Sequence, residues 1–210
     1  MKIVRFFHPT NNEYKLGLVQ HQQVIDLTIA TNGAVTSLVE LMTKLEEAPD
    51  FLNQAAQAAG SLQYTYQELD REPNAEHPYL VAPVDPVEVW ACGVTYKRSM
   101  EAREKESNNS CIYDKVYHAV RPELFFKATG ARVRGPQQTL GLRNDSTWMV
   151  PEPELGLVID SSLKVVGFTI GNDLSCRDIE GENPLYLPQA KMFRDACSIG
   201  PAIMLTESVE

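Results

Sequence analysis

The chain has 210 residues, 43% of them hydrophobic and 22% charged, with a formal net charge of −9. That is enough chain to bury a sizeable core without a disulfide or metal staple, and its acidity disfavours nucleic acid or an anionic membrane surface as the main partner. No run of about 18 apolar residues occurs, and the N-terminus turns polar after MKIVRFF, too early for a secretory segment. A cytoplasmic protein acting on small molecules is therefore expected.

In chain order, KIVRFF, YKLGLVQ and QQVIDLT read as short strands. TSLVELMTKLEEA carries Leu38, Leu41, Met42 and Leu45 at helical spacing, with Thr36 or Ser37 as N-cap. FLNQAAQAAG reads as a second helix closed by Gly60. The Pro-rich REPNAEHPYLVAPVDP reads as a linker. Residues 1–82 thus make a small α+β unit with its linker.

Beyond it, VEVWACGV reads as a buried strand and SMEAREKESNN as a charged helix. STWMV, LGLVID, KVVGFTIGND and IGPAIML are short strand candidates separated by turn signals, which suggests a sandwich or rolled β-structure over residues 87–210. The last run, SIGPAIMLTESVE, has no obvious partner: either earlier strands pair with it, or the chain is a fragment. The four cysteines (Cys92, Cys111, Cys176, Cys197) form no CxxC pair and the four histidines are scattered, so no zinc cluster is expected. Cys92 and Cys176 read as small buried groups, and Tyr113 with Tyr117 as core.

PEPELGLVID poses the chemical question. In a strand, Glu152 and Glu154 point to one face, roughly 6.6 Å apart, and repel each other unless something positive sits between them. With Ser161-Ser162 as a two-residue turn, Glu152 falls opposite Gly171 and Glu154 opposite Thr169, and Asp173 lies diagonal to Glu152 on the same face. Three carboxylates then converge at the open end of one hairpin. All-oxygen ligands select a hard cation, Mg²⁺ or Mn²⁺ before Zn²⁺. The competing reading is a charged strand edge that only wards off other strands. Lys191 follows, as a snorkelling lysine or as a substrate-binding or proton-transferring group beside the metal.

WACGVTY (90–96), the FFK of Phe125 to Lys127, the EPE of Glu152 to Glu154, GNDLSCRD and Lys191 together resemble the fumarylacetoacetate hydrolase family. The likeness runs from about Val89 to Pro201. It implies a small N-terminal α+β domain followed by a mixed, mainly β rolled sandwich, α+β overall and homo-oligomeric. Carried over residue by residue, it implies Mg²⁺ (or Mn²⁺ or Ca²⁺) on Glu152, Glu154 and Asp173. It also implies catalysis by Glu123 and Lys191, and substrate contacts from Tyr96, Lys127, Arg177 and Lys191. Members that hydrolyse C–C bonds carry a histidine three residues after the tyrosine; here that position is Ser99, a possible helix N-cap, and Thr95 replaces an asparagine. RPELFFKAT, PEPELGLVID and ENPLYLPQAK look instead like the branch that dehydrates 2-keto-3-deoxy sugar acids, with 2-keto-3-deoxyarabinonate giving 2,5-dioxopentanoate. An isomerase, decarboxylase or C–C hydrolase of another small keto acid, or a non-catalytic metal-binding relative, is the alternative. The resemblance further implies that a C-terminal part of the domain is absent from this chain, leaving its own activity open.

Overall fold

The computed structural model describes residues 1–57, 62–106 and 112–209. Thirteen strands are found among them: β1 Lys2–His8, β2 Glu13–Gln20, β3 Gln23–Asp26, β4 Leu62–Thr65, β5 Tyr79–Val81, β6 Glu88–Gly93, β7 Glu123–Thr129, β8 Val133–Arg134, β9 Met149–Val150, β10 Pro153–Ile159, β11 Val165–Asp173, β12 Ser175–Cys176 and β13 Cys197–Leu205. The α-helices are α1 Leu27–Ala30, α2 Leu38–Glu47, α3 Phe51–Ala56, α4 Tyr66–Leu69, α5 Lys97–Glu106, α6 Ile112–Tyr117, α7 Arg177–Glu182 and α8 Leu187–Lys191. The second helix lies where FLNQAAQAAG predicts it; Gly60, its expected stop, is outside the described residues, as is Cys111.

One nine-stranded sheet runs in the order β10-β11-β13-β1-β2-β3-β4, with β5 added to β1 and β8 to β13. Two smaller pairs, β6 with β7 and β9 with β12, stand apart. The last strand therefore has its partners: β13 pairs antiparallel with β11 and with β1, Lys2 opposite Met204 and Ile3 opposite Ile203. The stretch read as a linker contains β5, whose Leu80 faces Phe6 across the ladder. Flanking prolines hid that strand, because β5 is only three residues long and its pairing is long-range.

The core follows from the period-two alternation of these strands. Ile3, Leu16, Leu18, Ile25, Leu41, Ile203 and Leu205 form one buried cluster; Val4, Phe6, Val24, Leu69 and Leu80 form another on the opposite face. Ile203 and Leu205 come from the far end of the chain, so the N-terminal unit and the second half share one core.

The capping of α2 is the one expected from sequence. Ser37 accepts from the Glu40 amide, and the Glu40 carboxylate accepts from the Ser37 amide at 3.0 Å. Ser37→Ala is expected to lower stability by about 1 kcal/mol, read as a lower midpoint in urea at unchanged slope.

The β10–β11 hairpin departs from the expected register. Glu154 faces Gly171 and Pro153 faces Asn172, two residues away from the pairing expected with a tight Ser-Ser turn. The turn is longer: Asp160 accepts from the amides of Ser162 and Lys164, the Asp160 amide donates to the Lys164 carbonyl, and Leu163 takes φ 63°. A residue in the left-handed region closing a longer hairpin loop accounts for the slip. A shift of two preserves the face, so the three acids still point the same way, and the Asp173 amide donates to the Glu152 carbonyl at 2.9 Å.

Candidate metal centre

A cavity of about 500 Å³ opens between β6–β7, the α5–α6 helices, the β10–β11 hairpin and α7–α8, a size suited to a small metabolite. Glu152, Glu154 and Asp173 line it, as do Lys191, Glu123, Tyr96 and Arg177. The structure thus brings to one wall or another every site residue named from the sequence except Lys127, which lies behind Asp173.

The acids sit where their strands end. Glu152 precedes β10, Glu154 is its second residue and Asp173 closes β11. The chain leaves β6 through Val94, a β-branched residue at φ 55°, a backbone state unusual enough to mark a constrained site. Two residues on, the Tyr96 hydroxyl accepts from the Leu155 amide at 3.1 Å.

Cations crowd two of the three acids. The Lys191 Nζ, itself buried, lies 2.5 Å from Glu152 Oε2 and 2.7 Å from Asp173 Oδ2. Arg103 of α5 pairs with Glu152 and with Glu180 of α7, and Arg177 lies 2.7 Å from Glu152. Ser175, fully buried, accepts from Lys191 at 2.7 Å and lies 2.9 Å from Glu152 Oε2. Arg103, Glu180 and Ser175 were not singled out in the sequence. Arg103 sits in a helix whose charges read as solvated, and only Ser175 carried a signal: it is two residues beyond Asp173, on the same extended segment.

Burial alone would raise the Glu152 pKa, but the charges of Lys191, Arg103 and Arg177 outweigh it and hold it at about 2. Burial would likewise lower Lys191, and Asp173, Glu152 and Glu180 overcome it, so its ammonium is held charged. Glu154 goes the other way: burial raises it, and the neighbouring charges of Asp173 and Glu152 raise it further.

A stability consequence follows for the metal-free chain. The Glu152 pKa lies below its usual 4.5, so its contribution is complete above that value and vanishes as pH falls through about 2. The metal-free chain is expected to melt at progressively lower temperatures across that window, and Glu152→Gln is expected to flatten the slope.

Among the described residues, no group of three His, Cys, Asp or Glu side chains stands ready to hold a metal ion. Glu152 and Asp173 are turned onto their basic neighbours. The donor set nonetheless fits a hard divalent cation: three carboxylates facing one cavity, without thiol or imidazole. The upward shift of Glu154 comes first from burial and then from the charges of Asp173 and Glu152, a repulsion that a cation between the acids would relieve.

The remaining placements are mixed. Glu123 opens β7 on the cavity side, opposite Gly93. A Cβ at Gly93 would come within 3.0 Å of the Glu123 Cγ, so the glycine leaves that side chain room. Cys176 is buried as expected, but Cys92 is exposed on the cavity wall. Tyr113, expected in the core, also lines the cavity, because α6 buries none of its residues. Ser99 lies inside α5 rather than at its cap. No helix among the described residues is long and apolar enough to cross a membrane.

The pattern of the family described as "Fumarylacetoacetate (FAA) hydrolase C-terminal" matches residues 88–210. The chain is 45% identical over 185 residues to the "Probable 2-keto-3-deoxyxylonate dehydratase" of Haloferax volcanii, a match spanning 88% of this chain and 57% of that protein. It is 43% identical over 149 residues to the "2-dehydro-3-deoxy-D-arabinonate dehydratase" of Saccharolobus solfataricus, spanning 69% and 50%. The chain therefore spans about half the length of these curated relatives. Among solved structures, "2-keto-3-deoxy-D-arabinonate dehydratase complexed with magnesium and 2,5-dioxopentanoate" superposes with a TM-score of 0.75 at 32% identity, covering 100% of this chain and 68% of that one.

Proposed function

The chain belongs to the fumarylacetoacetate hydrolase family, and on that premise we propose that its cavity dehydrates a 2-keto-3-deoxy sugar acid with Mg²⁺ held by Glu152, Glu154 and Asp173. The observation that carries the reading is the meeting of these three acids and Lys191 on one wall of a cavity that Glu123 also lines. When bound, Mg²⁺ supplies a Lewis acid that makes the C3 protons of a 2-keto acid more acidic.

The protein's own groups do the rest. Glu123, an exposed carboxylate at the start of β7, is the base that takes a C3 proton. Lys191, kept charged by Asp173, Glu152 and Glu180, is the cation that balances the developing enolate oxygen rather than the base. The electron pair from the broken C3–H bond forms the C3–C4 double bond as the C4–O bond breaks. The departing hydroxide takes up a proton and leaves as water. Two proton shifts then convert the unsaturated keto acid to 2,5-dioxopentanoate when the substrate is 2-keto-3-deoxyarabinonate, the substrate that the 43% identical relative and the magnesium complex support. Ser99 stands where hydrolytic members carry a histidine, which supports elimination over water attack.

The test is proton NMR in D₂O with 2-keto-3-deoxyarabinonate and Mg²⁺. Exchange at C3 together with formation of 2,5-dioxopentanoate is expected. Exchange without elimination would make the site a keto–enol tautomerase, and neither would overturn the reading.

A further inference from the structure

Lys127 is the one basic residue at this site that does not reach the cavity. Its side chain is 1% exposed, and it comes from β7, the strand that also carries Glu123. The ammonium group donates to two carbonyls and forms an ion pair, without a hydrogen bond, with a carboxylate oxygen. Asp173 Oδ1 lies 2.6 Å away, the Leu174 carbonyl accepts at 2.9 Å, and the Lys191 carbonyl accepts at 2.7 Å. A lysine so enclosed does not reach the substrate cavity.

What it fastens is specific. Asp173 and Leu174 are the point where β11 ends, and the Lys191 carbonyl belongs to the last turn of α8, where helical carbonyls lack partners within the helix. The two Asp173 oxygens are shared between two lysines: Oδ1 with Lys127 from behind, Oδ2 with Lys191 from the cavity side. One buried cation therefore fixes the rotation of the Asp173 carboxylate and, through the backbone, the root of the side chain that faces it.

We propose that Lys127 is a positioning residue: it locks Asp173 and the Lys191 backbone in register, so that Asp173 presents one oxygen to the cavity for a divalent cation. The assignment rests on Asp173 being a metal ligand. It makes a prediction opposite in sign to a purely electrostatic role. Removing a positive charge from beside a cation site strengthens cation binding by Coulomb attraction alone. Removing a group that orients a ligand weakens it, by about 10- to 100-fold for such outer partners.

The experiment is Mn²⁺ binding followed by electron paramagnetic resonance on the full chain, for wild type, Lys127→Met and Lys127→Gln, with a thermal melt of each. Methionine keeps the length and apolar stem but loses the charge and all donors. Glutamine also loses the charge but keeps an amide that can donate to the Leu174 and Lys191 carbonyls. The expected result is weaker Mn²⁺ binding in Lys127→Met by about 10-fold or more, with a smaller loss in Lys127→Gln. Equal or tighter binding in both variants overturns the proposal and leaves Lys127 as a mere counter-charge. Loss of the fold in both makes it a core staple and also overturns it. Absence of Mn²⁺ binding in wild type contradicts the metal site itself, a different failure that sinks both readings.

Discussion

Glu152→Gln is expected to remove divalent-cation binding and to destabilise the metal-free chain by about 3 kcal/mol, near the lower end of the cost of breaking a buried ion pair. Glu152 is the hub of the site: Lys191, Arg103 and Arg177 all pair with it, and its side chain is 15% exposed. Glutamine is close in shape but neutral, so three cations lose a shared counter-charge in a place where water screens poorly. The loss stays near the lower end because Asp173 still pairs with Lys191 and Glu180 still pairs with Arg103. At about 2–4 °C per kcal/mol for a chain of this size, the melting temperature should fall by about 6–12 °C. Glu47→Ala is the control. Its pair with Lys44 is solvent-exposed at both ends, and such pairs are worth about 0–1 kcal/mol. A Glu152→Gln melt no different from that control would mean that the cations around Glu152 do not depend on it.

Lys191→Met should have the largest effect on turnover. The Lys191 ammonium is buried and touches Glu152, Asp173 and Ser175. It thus stands ready as a fixed positive charge beside the place where the proposed enolate would form. Loss of one such preorganised stabiliser costs about 10²- to 10³-fold in kcat, with a smaller change in KM if substrate is held mainly by other groups. Lys191→Arg should not restore it, because a planar guanidinium cannot direct donors at three partners clustered as these are. If Lys191 acts as the base instead, activity in wild type should rise with pH as the ammonium deprotonates. The acids around it push that deprotonation above its usual range, so the account expects no such rise near neutrality.

Much of the site was legible because strand periodicity survives errors of register. Glu152, Glu154 and Asp173 were placed on one face with the wrong opposite partners, and the face was right because the slip was by two. Asp160 and Leu163 set that slip. A tight turn was expected from Ser161-Ser162, but a side-chain-capped loop with a left-handed leucine was found. Arg103 was illegible for a different reason. Nothing local in SMEAREKES marks one charged residue for burial; its partners, Glu152 and Glu180, lie 49 and 77 residues away in sequence. Lys127 was expected at the substrate because it neighbours Phe125 and Phe126 in a motif. Only the fold reveals the irregularity in the β6–β7 pairing, Trp90 opposite Phe126 but Val89 opposite Ala128, which breaks at Lys127 the alternation that turns Glu123 and Phe125 to the cavity. The shared sheet through β1 and β13 was invisible for the same reason as β5: pairing between chain ends leaves no local trace.

The most direct test of the account is the product formed from 2-keto-3-deoxyarabinonate by this chain with Mg²⁺ and with EDTA, followed by ¹³C NMR alongside Glu154→Gln. Glu154 is the acid least engaged with the surrounding cations, so its amide variant disturbs cation binding more than folding. The account predicts 2,5-dioxopentanoate with Mg²⁺, none with EDTA, and none from Glu154→Gln despite a near-native melt. Product that persists in EDTA and in Glu154→Gln would contradict it, because the three acids would then not be the seat of the chemistry.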